Sequence, residues 1–247
     1  MPRFYCAQPL LVGETIALPD PVAHHAYVVR LQPGAALTLF NGEGGEYTAE
    51  LATVEKKRAS ARIIALLERE RELPYEITLA QALPEAAKMD WIIEKAIEMG
   101  VAAIVPLAAQ RCVVRLSGER ADKRAAHWQA VIVAASEQSG RNRLARLAPL
   151  DNFNTWIGRP EAHGRHNLHQ RILLSPRATQ SLPDWARQQA PQAVTLLIGP
   201  EGGYTEQEED AAIARGAIAL SIGPRVLRTE TAGIAAMAAL NALWGGM

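Results

Sequence analysis

The 247-residue chain is 49% hydrophobic and 21% charged, and its 26 basic and 26 acidic side chains give no formal net charge. That is an ordinary globular composition, with length for one large domain or two smaller ones. A neutral total excludes inferring a polyanionic partner from net charge alone. Two distant cysteines, Cys6 and Cys112, form neither a disulfide framework nor a zinc site. The N-terminal MPRFYC lacks a secretory pattern, and no run approaches the roughly 18 apolar residues of a membrane span. A soluble, cytoplasmic protein without a metal is therefore expected.

In chain order, the first seventy residues read as β. LTLFNGEGGEYTAEL (residues 37–51) places two alternating runs around a glycine-rich hairpin turn, and an apolar run follows at 61–67. The alternating acids and arginines of 68–72, then Pro74, mark a boundary, giving domains at 1–73 and 74–247. Beyond it the period changes. A buried strand is predicted at 76–83 and an amphipathic helix at 88–99 with Gly100 ending it; a strand at 102–107 and a helix at 119–135 follow. Next come strand 171–175, helix 182–189, strand 194–198, helix 206–214, strand 217–222 and helix 231–244. Alternation of this kind predicts an α/β domain with a largely parallel, doubly wound sheet.

Ligands of open parallel sheets bind in loops at the carboxyl ends of strands, and two such loops stand out. The first, IGPEGG (Ile198, Gly199, Pro200, Glu201, Gly202, Gly203), leads to Thr205 and Glu208, a T-x-x-E capping box. It is neither a P-loop nor a dinucleotide fingerprint, and a plain strand-to-helix connection would also explain it. The second, IGPRVLRTET, concentrates Ile222, Gly223, Arg225, Leu227, Arg228, Thr229 and Glu230 ahead of a nearly all-apolar helix. A purely structural turn does not ordinarily gather charge there. Residues 109–148 carry eight basic side chains against three acidic ones and end in SEQSGRNR. Their arginines suit phosphate and base edges, or equally a solvated helix with its dipole satisfied. His163, His166 and His169 lie three apart in a polar loop without Cys or Asp companions, and no metal role is assigned to them.

Taken together, LLIGPEGGYTEQE, LSIGPRVLRTETA, KMDWIIEKAIEMGV, RCVVRLSGER and SEQSGRNR resemble, in order and spacing, the RsmE family of 16S rRNA uracil-N3 methyltransferases in the SPOUT superfamily. HHAYVVRL and LFNGEGGEYTAEL resemble its PUA-like β-barrel. Two departures stand out: Tyr27 where the barrel motif often has Arg, and Ala86-Ala87 where a Gly-acid pair often precedes Lys88.

The resemblance implies an N-terminal PUA-like β-barrel that binds RNA and a C-terminal trefoil-knotted catalytic domain. It also implies a homodimer and the cofactor S-adenosylmethionine (SAM). Knots are very rare, and the residue pattern alone predicts an unknotted sheet. The implied cofactor positions are Leu174, Ser175, Ile198, Gly199, Glu201, Gly202, Gly203, Ile222, Gly223, Leu227 and Thr229. The implied substrate is a uridine of the decoding region of 16S rRNA in the 30S subunit. Its N3 carries a proton that must leave, so Arg225 or Arg228 is expected to hold charge at O2/O4, with Glu201 or Glu230 orienting or accepting the proton. RNA contacts are expected from Arg3, Arg30, Arg111, Arg141, Asn142 and Arg143. The competing readings are a tRNA ribose 2′-O-methyltransferase of the same superfamily and a non-catalytic RNA-binding assembly factor.

Overall fold

Two periodicities build two units. The computed structural model describes residues 1–85, 87–159 and 169–246. The first unit comprises residues 1–72 with 133–144, and the second residues 73–132 with 145–247.

In the first unit, short alternating segments pair into a five-stranded sheet. Its elements are β1 (Arg3–Tyr5), β2 (Thr15–Ala17), helix α1 (Asp20–Val28), β3 (Ala36–Phe40), β4 (Glu46–Val54) and β5 (Ala59–Leu67). The sheet order is β1-β3-β4-β5-β2, with β1 parallel to β3 and the other pairs antiparallel. The β3–β4 hairpin turns through residues 41–45 as its glycines predict. Phe4, Leu37, Leu39, Leu51 and Ile63 pack into one core with Val22 and Ala23 of α1. Helix α1 breaks the all-β reading of this region. Its signals are short but present: Pro21 in the first turn, Asp20 beside it, and buried Val22, Ala23 and Ala26 on one face. Tyr27, on the same helix, is 47% exposed.

The second unit contains β6 (Ile77–Ala82), α2 (Lys88–Glu98), β7 (Ala103–Ala108) and the start of α3 (Glu119–Ser139). After it come β8 (Arg146–Leu147), β9 (Asp151–Asn152), α4 (Phe153–Ile157), β10 (His169–Leu174) and α5 (Leu182–Arg187). The unit closes with β11 (Ala193–Ile198), α6 (Glu206–Ala214), β12 (Ile218–Leu220) and α7 (Thr229–Trp244). Its seven strands run parallel in the order β12-β10-β11-β6-β7-β8, with β9 also on β7. Central β11 is buried at every residue, which is why it reads as a run apolar but for Thr195. Helix α2 buries Met89, Ile92, Ile93, Ala96 and Ile97, and Gly100 ends it in the left-handed region at φ 86. Helix α7 buries Met237, Leu240 and Trp244; Trp244 packs edge-on against Tyr75 at 5.1 Å, and Asn241 accepts the Tyr75 hydroxyl at 2.8 Å.

Helix α3 is longer than its sequence pattern, so Glu137, Gln138 and Ser139 are helical and the loop begins at Gly140, φ 78. Strands β1, β2, β8 and β9 have two or three residues each, too few to establish a period.

Candidate active site

Strands β12, β10 and β11 lie side by side, so the loops after them converge at one edge of the sheet. They enclose a cleft of about 480 Å³. Leu174 and Ser175 line it from the first loop; Ile198, Gly199, Glu201, Gly202 and Gly203 from the second; and Ile222, Gly223, Arg225, Leu227, Arg228, Thr229 and Glu230 from the third. Every residue singled out in these loops thus reaches one cavity, of ordinary size for a cofactor site.

Local bonds hold the second loop. Gly203 N–H donates to Pro200 O at 2.8 Å, and the Tyr204 hydroxyl donates to Ile198 O at 3.0 Å. Thr205 caps α6, and Glu208 returns a bond to the Thr205 N–H, completing the capping box read from sequence. Arg111, expected on RNA, lies at the surface with Nη1 donating to Gly202 O at 2.8 Å, so it braces this loop. Gly199 has no room for a side chain: a Cβ would lie 3.0 Å from Tyr204 N and 3.1 Å from Gly203 Cα.

One participant escapes the sequence reading. Lys88, in the first turn of α2, donates to Glu201 Oε1 at 2.6 Å and lies 3.9 Å from Glu230 Oε2. The Glu85 N–H also donates to Glu201 Oε1, at 3.0 Å. Of the two alanines before Lys88, Ala86 lies outside the described residues, and Ala87 precedes the helix without a side-chain cap. Burial pushes the Glu201 carboxyl up, but the Lys88 and backbone donors outweigh it, leaving its pKa below the ordinary 4.5. The Glu201 hydrogen bond raises Lys88 above its ordinary 10.5. The pair's stabilisation is therefore present above pH 4.5 and lost as pH falls through the depressed Glu201 value. On the alkaline side it is complete below pH 10.5 and lost as pH rises through the raised Lys88 value. Removing the amine in Lys88→Met is expected to raise the Glu201 pKa. An NMR titration of the Glu201 side-chain carbonyl checks this; an unmoved value would mean that the backbone donors alone hold it down.

The arginines of the third loop contrast with Glu201. Arg225 and Arg228 are exposed at the cleft and make no ion pair among the described residues. Glu230 Oε2 is buried and accepts no hydrogen bond. Two unengaged cations and one open acceptor face a cavity whose apolar lining comes from Leu174, Ile198, Ile222 and Leu227. Burial pushes the Cys6 thiol up to about 12, helped by the Glu137 carboxylate, and likewise raises Cys112. Neither is a nucleophile near neutral pH. Among the described residues no three His, Cys, Asp or Glu side chains gather as a metal site. His163 and His166 lie outside the described residues, and His169 Nε2 is 2.8 Å from Thr195 Oγ1.

The residues expected to touch RNA divide sharply. Arg30 is exposed at the end of α1, in the left-handed region at φ 58. Arg143 is exposed, with Nε 2.8 Å from Glu70 Oε2. Arg141 and Asn142 are instead buried and Arg3 is half-buried, all three engaged within the first unit, which weighs against their expected role. Arg3 pairs with Glu46 at 2.6 Å and donates to Arg141 O at 3.0 Å and to Asn142 Oδ1. Arg141, 3% exposed, donates through Nε to Glu72 Oε1 at 2.9 Å. Asn142, fully buried, donates to Arg69 O. Removing one partner of a buried pair leaves an uncompensated charge. Arg141→Ala is therefore expected to cost about 3 kcal/mol, and Arg143→Ala, in an exposed pair, under about 1 kcal/mol. Urea unfolding checks both through the midpoint at constant slope; equal losses would contradict the difference in burial.

Known proteins share this arrangement. The family model of an RNA methyltransferase domain matches residues 71–241, and that of an RNA methyltransferase PUA domain matches residues 18–64. Ribosomal RNA small subunit methyltransferase E of Bacillus subtilis is 31% identical over 229 residues, 90% of this chain and 87% of the relative. The protein of that name from Mycobacterium bovis is 33% identical, covering 91% of this chain and 84% of its own. The crystal structure of the Neisseria gonorrhoeae protein of that name, bound to SAM, superimposes with a TM-score of 0.90 at 39% identity, covering 99% and 98% of the two chains. The matched family models, sequence identity over most of both chains and a common α/β fold with an N-terminal PUA-like domain lead to one conclusion: the chain belongs to the ribosomal RNA small subunit methyltransferase E family of RNA methyltransferases.

Proposed function

We propose that the chain transfers a methyl group from SAM to N3 of one uridine in the decoding region of 16S rRNA, within the 30S subunit, and acts as a cytoplasmic homodimer. The carrying observation is the cleft at the ends of β10, β11 and β12, which Arg225 and Arg228, unpaired among the described residues, line together with Glu230 and the apolar Leu174, Ile198, Ile222 and Leu227. The Neisseria relative was solved with SAM, and the relatives are named for small-subunit rRNA. The residues fit that cofactor. Leu174, Ile198, Ile222 and Leu227 suit an adenine ring, and the glycine loops offer backbone groups. Glu230 Oε2, near Lys88 but without a hydrogen bond, suits a hydrogen-bond donor. When bound, SAM supplies an electrophilic methyl group on a sulfonium.

The protein's part is to make uracil N3 nucleophilic and to align it. The N3 proton has a pKa well above neutral, so charge accumulates on O2 and O4 as it leaves. In this reading Arg225 and Arg228, which line the cleft, stabilise that charge. Glu230 is the better candidate for orienting or taking the proton, because Glu201 is committed to Lys88 and the Glu85 N–H. Glu201 then braces its own glycine loop against the first turn of α2.

In this reading the chain changes role near residue 73, from a PUA-like β-barrel that contacts RNA to a SPOUT domain threaded as a trefoil knot. The Thr229 hydroxyl, donating to Gly199 O at 2.6 Å across 30 residues, ties together the two loops the knot would cross. A homodimer seam is supported by α7, whose Ile234, Ala235, Ala238 and Ala239 are small or apolar and half-buried. Arg30, Arg111 and Arg143 are the proposed RNA contacts. Neutralising each is expected to flatten the salt dependence of RNA binding by about one unit of slope for every phosphate that the arginine neutralises. A wild-type slope would remove that residue from the interface.

The test is transfer of tritiated methyl from SAM to 30S subunits lacking the modification, followed by digestion to nucleosides. Label in N3-methyluridine is expected. Label on a ribose 2′-oxygen would overturn the base assignment, and RNA binding without SAM binding or transfer would favour the assembly factor.

A further inference from the structure

Strand β6 lies in the middle of the parallel sheet, and Ile77, Leu79, Ala80 and Ala82 are completely buried. Gln81 is completely buried too, in register with Ile198 on one side and Pro106 on the other. A central parallel strand ordinarily takes apolar residues, and a buried amide is costly unless its groups are bonded. Gln81 Nε2 donates to Ala82 O at 2.9 Å and to Thr229 Oγ1 at 2.9 Å. Its Oε1 has no hydrogen-bond partner. An apolar side chain of the same length would fill the position without leaving that acceptor open, so packing alone does not account for the amide.

The proton arrangement has one solution. Ala82 O and Gly199 O are carbonyls and can only accept. The amide nitrogen must therefore face Ala82, since a flipped amide would set Oε1 against a second oxygen. Thr229 has one hydroxyl proton, and Gly199 O, 2.6 Å away, takes it. Thr229 Oγ1 then has a lone pair for the second Nε2 proton. The relay runs Gln81, Thr229, Gly199, fixed in direction at both ends. It joins the first residue of the glycine loop to the first residue of α7, between Arg228 and Glu230.

We propose that Gln81 is a positioning residue: through the Thr229 hydroxyl it sets the spacing of the two loops that wall the cleft, and so the placement of Arg228 and Glu230. The inference rests on the reading of this cleft as the SAM site. Gln81 sits behind the cleft wall and acts through Thr229, which lines it. A relay that positions predicts a different outcome from one that merely stabilises. Gln81→Met should fold with a melting temperature near wild type, and Thr229→Val, which strands a buried Gln81 Nε2 proton, somewhat below it; both should lose SAM affinity about fivefold or more and lower kcat as well. Thr229→Ser, which keeps the hydroxyl, should restore both.

The experiment combines calorimetry with SAM, kcat and KM on 30S subunits, and amide hydrogen exchange on the ligand-free protein. Faster exchange confined to residues 199–204 and 229–232 in Gln81→Met and Thr229→Val, with serine rescue, is expected. Wild-type exchange together with wild-type affinity and kcat in both variants would overturn the relay. A general rise in exchange with a fall in melting temperature in Gln81→Met would also overturn it, by assigning Gln81 a stabilising role alone. If wild-type protein binds no SAM, the cofactor reading fails, and the exchange comparison still decides whether Gln81 orders the two loops.

Discussion

Replacing Arg228 by Ala is expected to lower methyl-transfer turnover at least about tenfold while leaving SAM affinity near wild type. The backbone predicts little structural cost. Arg228 is the residue just before α7, its carbonyl accepts from Thr231 N and Ala232 N at 2.9 Å each, and its side chain makes no capping bond. Alanine keeps both backbone bonds. The side chain is exposed at the cleft and unpaired among the described residues, so its loss removes charge from the reacting region without stranding a partner. Steady-state kinetics on unmodified 30S subunits, with calorimetry on the same preparation, separate the two terms. Unchanged turnover would move the charge-stabilising role to Arg225.

The second large effect should come from Gly199→Ala and fall on binding. The new Cβ would meet the backbone of Gly203 and Tyr204 at 3.0–3.2 Å, and backbone cannot turn aside as a flexible side chain does. The loop must open, pulling Gly199 O from Thr229 Oγ1. Strain of about 1–3 kcal/mol is usual for such overpacking, and a cofactor that needs the closed loop should lose at least about tenfold in affinity. Calorimetry with SAM checks this; near-wild-type affinity would show that the cofactor does not depend on the closed loop.

These two variants act on residues that are legible in the sequence. The glycine loops announce themselves because each follows a buried apolar strand and precedes a capped or apolar helix, and in a parallel sheet such loops converge at one edge. Pairings across long separations are not legible. Lys88 meets Glu201 across 113 residues because the strands that precede them, β6 and β11, pair in the sheet. Gln81 meets Thr229 across 148 although β10 and β11 lie between β6 and β12, the strand that precedes Thr229. Periodicity records which face a residue presents and not which neighbour it finds.

The SEQSGRNR segment misleads for a chemical reason. Arginine suits phosphate oxygens and carboxylates equally, and the partners found by the segment, Glu72 for Arg141, Glu70 for Arg143 and the Arg69 carbonyl for Asn142, sit in a stretch that reads as a boundary. Helix α1 escapes because its nine residues carry one short buried face within an otherwise β-rich region.

The central claim is that the cleft at the ends of β10, β11 and β12 binds SAM. A calorimetric titration of the full-length protein with SAM tests it most directly. One site per chain with micromolar affinity, weakened by Gly199→Ala and retained in Arg228→Ala, is the predicted result. No heat of binding at saturating SAM, or binding indifferent to Gly199→Ala, would contradict it.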